Sequence, residues 1–222
     1  MKRCLMISGG PLDREFVGSF LEGRDYDLTI AVDAGFADCM ELDIHPDLVV
    51  GDFDTFGREK IQKYQNDSSL QINIHQAEKD ETDTELAFRE ILKAGCTEVD
   101  MFGATGGRID HEISSFHVLA QVRRQGLKVS LYDARNRIFI LDSRMEDGHR
   151  FEKESVFGKY VSFLPLTEKV NGITLTGFKY PLWKKDISIL ENPSLCVSNE
   201  VLEEEAEITF EEGILICVES RD

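Results

Sequence analysis

Cysteine is scarce in this 222-residue chain, at five residues, and the number is odd. Cys4, Cys39, Cys96, Cys196 and Cys217 are widely spaced and form no C-x-x-C pair. That excludes a disulfide framework and a thiolate zinc site, and it reads as reduced, mostly buried thiols in a cytoplasmic protein. Long apolar runs are missing too. The stretch after Lys2 and Arg3 is too short for a signal peptide or a membrane span, so Asn66-Asp67-Ser68 reads as loop sequence rather than a glycosylation site. Positive charge is in deficit: 25 Lys and Arg face 42 Asp and Glu, for a net charge of -17. That balance argues against nucleic acid or an anionic membrane as partner. No internal repeat or low-complexity tract is present. What remains is an ordinary globular composition, 41% hydrophobic and 30% charged, long enough for one large domain or two modest ones with a real core.

The texture changes part-way along. Cys4 to Ile7, Leu28 to Val32, Leu48 to Val50, Ile72 to Ile74, Val99 to Phe102 and Lys128 to Tyr132 are short, apolar and rich in β-branched residues. Segments of helical length separate them; in one, Ile109, Ile113, Phe116 and Ala120 recur at helical spacing and predict a single buried face. Alternating strand and helix predicts βαβ units and a mainly parallel, Rossmann-like sheet flanked by helices. After Ala134 short strand-like runs follow one another with no helix between: Ile138 to Leu141, Tyr160 to Leu164, Gly172 to Thr176, Ile187 to Leu190, Leu195 to Ser198, Ala206 to Phe210 and Ile214 to Val218. This half predicts an antiparallel, all-β sandwich or barrel. The expected division is residues 1–134 and 135–222.

Five acidic or glycine-rich patches follow the first-half strands. They are Ser8-Gly9-Gly10-Pro11, Val32-Asp33-Ala34-Gly35, Gly51-Asp52-Phe53-Asp54, Lys79-Asp80-Glu81-Thr82-Asp83 and the run from Gly103 to His111, GATGGRIDH. In an open α/β sheet the carboxyl ends of the strands share one edge, so these patches converge. Together they supply carboxylates, glycine amides and one arginine, the inventory for a polyphosphate bound through a divalent cation. Asp52 and Asp54 sit two apart, roughly 6.5 Å between Cα atoms if extended, and can share one hard cation; two solvated carboxylates in a turn is the plainer reading. Asp80 can N-cap the following helix, and Thr82 with Glu85 makes a capping box. Gly103 to Arg108 lets amides approach phosphate oxygens, with Arg108 able to fork onto them, yet it is neither a Walker A loop nor a dinucleotide fingerprint. Asp110 could orient a hydroxyl or hold Arg108. His111 could contact phosphate or serve as a structural donor.

In this order (GG, D-x-G, GDFD, KDxTD and GxTGGRxDH, then LPLTEKVNGITLTGFKYPL and a late Ser198-Asn199) the chain resembles bacterial thiamine pyrophosphokinases over essentially its whole length. The resemblance implies an α/β domain for ATP and Mg²⁺, a β-sandwich domain contributing to a thiamine pocket, and a homodimer with sites near the subunit interface. It implies Asp52, Asp54 and Asp83 as magnesium carboxylates, and Asp83, Arg108 and Asp110 as the catalytic set. The nucleotide side would comprise Gly9, Gly10, Asp33, Gly35, Asp80, Thr105, Gly106, Gly107, Arg108 and His111. Tyr180, Ser198 and Asn199 would meet thiamine, Tyr180 standing where some members have a stacking tryptophan; Trp183, three residues on, is the competing ring. Ser114-Ser115 departs from the asparagine that members often carry there. The implied reaction is pyrophosphoryl transfer from Mg²⁺-ATP to the thiamine hydroxyl with release of AMP, an aspartate, Asp110 or Asp83, taking the proton. A metal-dependent phosphoesterase, a pterin pyrophosphokinase and a non-catalytic nucleotide or thiamine sensor are the alternatives.

Overall fold

The computed structural model describes residues 1–51, 71–74 (backbone only), 81–145 and 148–222. By internal contacts the chain forms two compact units: Met1–Val118 with Val129–Ala134, and Leu119–Lys128 with Arg135–Asp222.

In the first unit the short apolar runs become strands β1 (Arg3–Ile7), β2 (Leu28–Val32), β3 (Leu48–Gly51), β4 (Gln71–Ile74), β5 (Glu98–Phe102) and β6 (Lys128–Tyr132). Their sheet order is β4-β3-β2-β1-β5-β6. β1 pairs in parallel with β2 on one side and β5 on the other, and β2–β3 and β3–β4 are also parallel. The chain therefore builds outward from β1 in one direction and then, after β4, returns to its other side. The gap between the ends of β1 and β5 is the topological switch point, where open sheets of this kind leave a crevice.

Helices α1 (Arg14–Leu21), α2 (Gly35–Glu41), α3 (Asp83–Lys93) and α4 (Ile109–Arg123) link the strands. α1 is started by Asp13, whose side chain accepts from the Phe16 N–H. It carries Phe20 onto Phe102 at 5.1 Å edge-on and onto Tyr132 at 4.6 Å between ring centroids, a pair of contacts that fixes its angle to β5 and β6. α3 has the expected capping box, Thr82 with Glu85, so the N-cap is Thr82 and not Asp80. The buried stripe predicted for α4 is not present. Ile109 and Ile113 are 68% and 51% exposed, and burial begins only at Val118, Leu119 and Ala120. Helical spacing gives the right element, but in its first two turns His111 and Ser115 line a cleft and Phe116 is only half-buried.

The second unit is antiparallel throughout. β7 (Asn136–Asp142), β13 (Ile214–Ser220) and β9 (Tyr160–Pro165) pair in that order, and β11 (Leu182–Ser188), β10 (Lys169–Thr176), β12 (Glu205–Thr209) and β8 (His149–Glu152) form a four-stranded sheet. Inward residues from both, among them Phe139, Phe151, Phe163, Ile173, Ile208 and Leu215, make one apolar core. Two strand expectations shift. Leu195 to Ser198 is turn, because the N–H groups of Leu195 and Val197 are used on the carbonyls of Asn192 and Ser194. The run at Ile187 ends at Ser188 and starts earlier, at Leu182.

Candidate active site

The crevice is at the switch point. A cleft of about 400 Å³ is lined by Ser8, Gly9, Gly10 and Pro11 after β1, Asp33 and Ala34 after β2, and Gly103 to Thr105 with Gly107 and Arg108 after β5. Thr84 of α3 and His111 and Ser115 of α4 complete it, with Val32. Three patches far apart in sequence thus share one wall.

That wall is made of backbone. The Ser8 N–H donates to the Phe102 carbonyl and the Gly10 N–H to the Gly103 carbonyl, both at 2.8 Å, so the β1 and β5 loops run against each other. Gly103 has φ +72, and a Cβ there would stand 2.3 Å from the Ser8 carbonyl oxygen; one on Gly10 would stand 2.5 Å from the Gly103 oxygen. Neither position admits a side chain. Asp33 adopts the left-handed conformation at φ 50, a conformation that aspartate accepts more readily than most residues. Its N–H donates to the Val50 carbonyl at 2.9 Å. Its carboxylate comes so close to Gly51 that a Cβ there would be 2.1 Å from Oδ1, which is why glycine must open the GDFD patch. Ser8 Oγ is buried with no hydrogen-bond partner among the described residues.

The loop before α4 is braced from two sides. Thr105 Oγ1 donates to Asp133 at 2.9 Å, and the Gly106 N–H donates to Glu112 at 3.2 Å. Arg108 forks onto Asp110 through Nε at 3.1 Å and Nη2 at 2.6 Å, and the His111 N–H adds a third bond to the same carboxylate at 3.1 Å. The guanidinium holds Asp110 down at about 2. Both partners remain largely exposed.

Of the nucleotide-side residues read from sequence, Gly9, Gly10, Asp33, Thr105, Gly107, Arg108 and His111 line this cleft. Gly106, at φ +76, shapes the turn beside it, and Gly35 opens α2 where a Cβ would be 2.2 Å from the Ile7 oxygen. Asp83 is the first residue of α3, next to the lining residue Thr84. Asp52, Asp54 and Asp80 lie outside the described residues. Two lining residues were not singled out: Thr84, which has no motif of its own, and Ser115, which a helical step of four from His111 would have found. Ser114, its neighbour in the Ser114-Ser115 departure, is exposed and is not a lining residue.

The acceptor-side residues belong to the second unit. Tyr180 and Trp183 are both well exposed. Ser198 is left-handed at φ 56, and its N–H donates to Ser162 Oγ at 2.9 Å. Asn199 is buried.

With this geometry in hand, the family models decide the kinship. Residues 23–131 match the thiamin pyrophosphokinase catalytic domain, and residues 148–215 match the thiamin pyrophosphokinase vitamin B1 binding domain. The thiamine pyrophosphokinase of Bacillus subtilis (strain 168) is 32% identical over 223 residues, covering 100% of both chains. The chain belongs to the thiamine pyrophosphokinase family. Solved thiamine pyrophosphokinase structures superpose on it: that of Bacillus subtilis with a TM-score of 0.84 at 31% identity over 100% of both chains, and that of Geobacillus thermodenitrificans with 0.83 at 30% over 99% of this chain and 98% of the other. The architecture read from the sequence, a helix-flanked parallel sheet followed by an antiparallel β unit, is that of this family. Among the described residues no helix is long and apolar enough to cross a membrane.

Proposed function

We propose that the chain transfers the pyrophosphoryl group of ATP to the primary hydroxyl of thiamine, giving thiamine diphosphate and AMP. The observation that carries this reading is the glycine-walled cleft at the sheet's switch point in a chain matched along its length by this family. The hydroxyl oxygen bonds to the β-phosphorus, the bond from that phosphorus to the oxygen of AMP breaks, and the hydroxyl proton passes to a base. Work of this kind is mainly positioning and charge neutralisation. Gly9, Gly10, Gly106 and Gly107 leave room for the phosphates, Arg108 meets their charge, and Thr105, held by Asp133, and His111 fix the loop around them. Asp110, held near 2 by Arg108, is a weak base; its work is to aim the guanidinium. That leaves Asp83, at the start of α3 beside the lining residue Thr84, as the proposed proton acceptor.

The donors fit magnesium. The cleft offers oxygen ligands with a single imidazole and no thiol among its lining residues, and burial pushes the Cys39 thiol of α2 up to about 12. Asp52, Asp54 and Asp83 would hold the ion, which when bound supplies charge neutralisation at the phosphates. We assign residues 1–134 to ATP and Mg²⁺ and residues 135–222 to thiamine, with Tyr180 and the Ser198-Asn199 turn around the acceptor. We extend the reading to a cytoplasmic homodimer, which fits five free buried thiols and the exposed Leu190, Leu195 and Leu202 of the second unit.

Incubation with Mg²⁺-ATP and thiamine, with identification of products, tests the proposal. AMP and thiamine diphosphate are expected. ADP, phosphate released without thiamine, transfer to a pterin instead, or binding without turnover would overturn it.

A further inference from the structure

The sequence offers Asn199 as a thiamine contact, but the side chain is 2% exposed and its amide is already engaged. Oδ1 accepts the Tyr180 N–H at 2.9 Å, and Nδ2 donates to the Tyr180 carbonyl at 2.9 Å. Oδ1 also takes the Glu200 N–H at 3.0 Å. A side chain that meets both peptide groups of one residue does what a paired strand does. Asn199 is itself pinned, exchanging both backbone bonds with Val161 at 2.8 and 3.0 Å.

The segment it grips is fixed at its other points too. The Lys179 N–H donates to the Glu200 carbonyl at 2.9 Å, Phe178 is in the core, and Pro181 confines the residue before it to extended conformations. Yet the Tyr180 ring is 60% exposed. Lys179 Nζ, paired with Glu200 at 2.8 Å, lies 5.6 Å from the ring centroid. A backbone held at both polar groups beneath an exposed ring gains little from burying that ring. It gains a preset direction for it.

We propose that Asn199 is a positioning residue: it sets Tyr180 as a fixed platform for a flat heteroaromatic ring of the acceptor, and does not itself bind the acceptor. The inference rests on the thiamine reading above and chooses Tyr180 over Trp183 as the stacking ring.

The test is a double-mutant cycle with Asn199→Ala and Tyr180→Ala, read as KM for thiamine, KM for ATP and kcat, beside ring relaxation of Tyr180 by NMR. Asn199→Ala is expected to raise the thiamine KM about 10-fold to 100-fold, the range for a misplaced positioning group, with the ATP KM unmoved. Combined with Tyr180→Ala it should add nothing further, because the two act as one. Ring motion should quicken in Asn199→Ala. Effects that multiply, or a lowered Tm with an unchanged thiamine KM, overturn the proposal. Should Asn199→Ala not fold, Asn199→Asp keeps the acceptor and loses the Nδ2 donor, and the same cycle applies. If the wild-type protein makes no thiamine diphosphate, the functional reading fails, and unchanged ring motion in the variant then overturns the clamp independently.

Discussion

The two units present their candidate binding groups by opposite means. In the α/β unit the cleft wall is main chain: the Gly10 N–H donates to the Gly103 carbonyl, and a Cβ on either glycine would overlap a carbonyl oxygen. In the β unit the exposed Tyr180 ring is a side chain, held in place through the side chain of Asn199. A wall of backbone leaves phosphate oxygens close access to amides but admits no substitution. A platform of side chains can be exchanged for another ring while its support stays put. The difference teaches where each half should break under mutation, and how.

The largest break should come from the acidic patch after β3. Asp52→Ala or Asp54→Ala is expected to lower kcat by several orders of magnitude if cation-mediated charge neutralisation dominates the transfer. Thermal unfolding should hardly change. Near-normal turnover of Asp52→Ala under saturating Mg²⁺-ATP would remove that residue from the site.

Next comes the wall itself. Gly103→Ala places a methyl group 2.3 Å from the Ser8 oxygen at φ +72; the strain should cost about 1–3 kcal/mol and abolish measurable ATP binding. Gly18→Ala is its control. That position is inside α1 with nothing within 4 Å of the added carbon, so the change should stabilise by about 1 kcal/mol. Equal effects at the two glycines, read by thermal melts and nucleotide titration, would erase the distinction between wall and scaffold.

How much of this was legible beforehand also divides between the units. Buried parallel strands announce themselves as short β-branched runs, and the loops at their ends converge by topology, so the first-unit strands and the cleft could both be placed. The face of α4 could not, because spacing reports an apolar stripe without saying what covers it: Ile109 and Ile113 stand exposed. In the β unit, β8 escaped notice because, of its four residues, only Phe151 is buried. Leu195 to Ser198 looked like a strand because nothing local reveals that its amides close turns on Asn192 and Ser194. Asn199 is the sharpest case. Its partner Tyr180 is 19 residues away, and the same Ser-Asn pair reads equally as a ligand contact or a brace.

For the side-chain platform the expected effect is smaller and confined to one substrate. Tyr180→Ala should raise the thiamine KM about 10-fold to 100-fold, since stacking a flat heterocycle on an aromatic side chain contributes about 1.4–2.7 kcal/mol, and Tyr180→Phe or Tyr180→Trp should restore it. The ATP KM should stay constant in all three. A parallel loss in ATP affinity would mean that the two halves are not separable in this way.

The smallest contrast concerns two aspartates, each paired with an arginine. Asp110 and Arg108 are 63% and 72% exposed, whereas Asp142 is 1% exposed and accepts from Arg124 at 2.8 Å and from the Arg144 N–H at 3.0 Å. Burial alone would raise the Asp142 carboxyl, but these two donors outweigh it and hold it below its ordinary value. A depressed carboxylate contributes stability that is fully present above its unfolded pKa, near 3.9, and is lost as pH falls through the lower folded value. Asp142→Asn should therefore cost about 1–3 kcal/mol at neutral pH, and its deficit against wild type should shrink as pH drops below about 4. Asp110→Asn should leave stability unchanged across the same range, because water and salt screen an exposed pair, even though its carboxyl is held at about 2. Melting curves of both variants from neutral pH to pH 3 decide it. A pH-dependent stability loss in Asp110→Asn matching that of Asp142→Asn would show that the Arg108 fork braces the fold, and not only the direction of its own guanidinium.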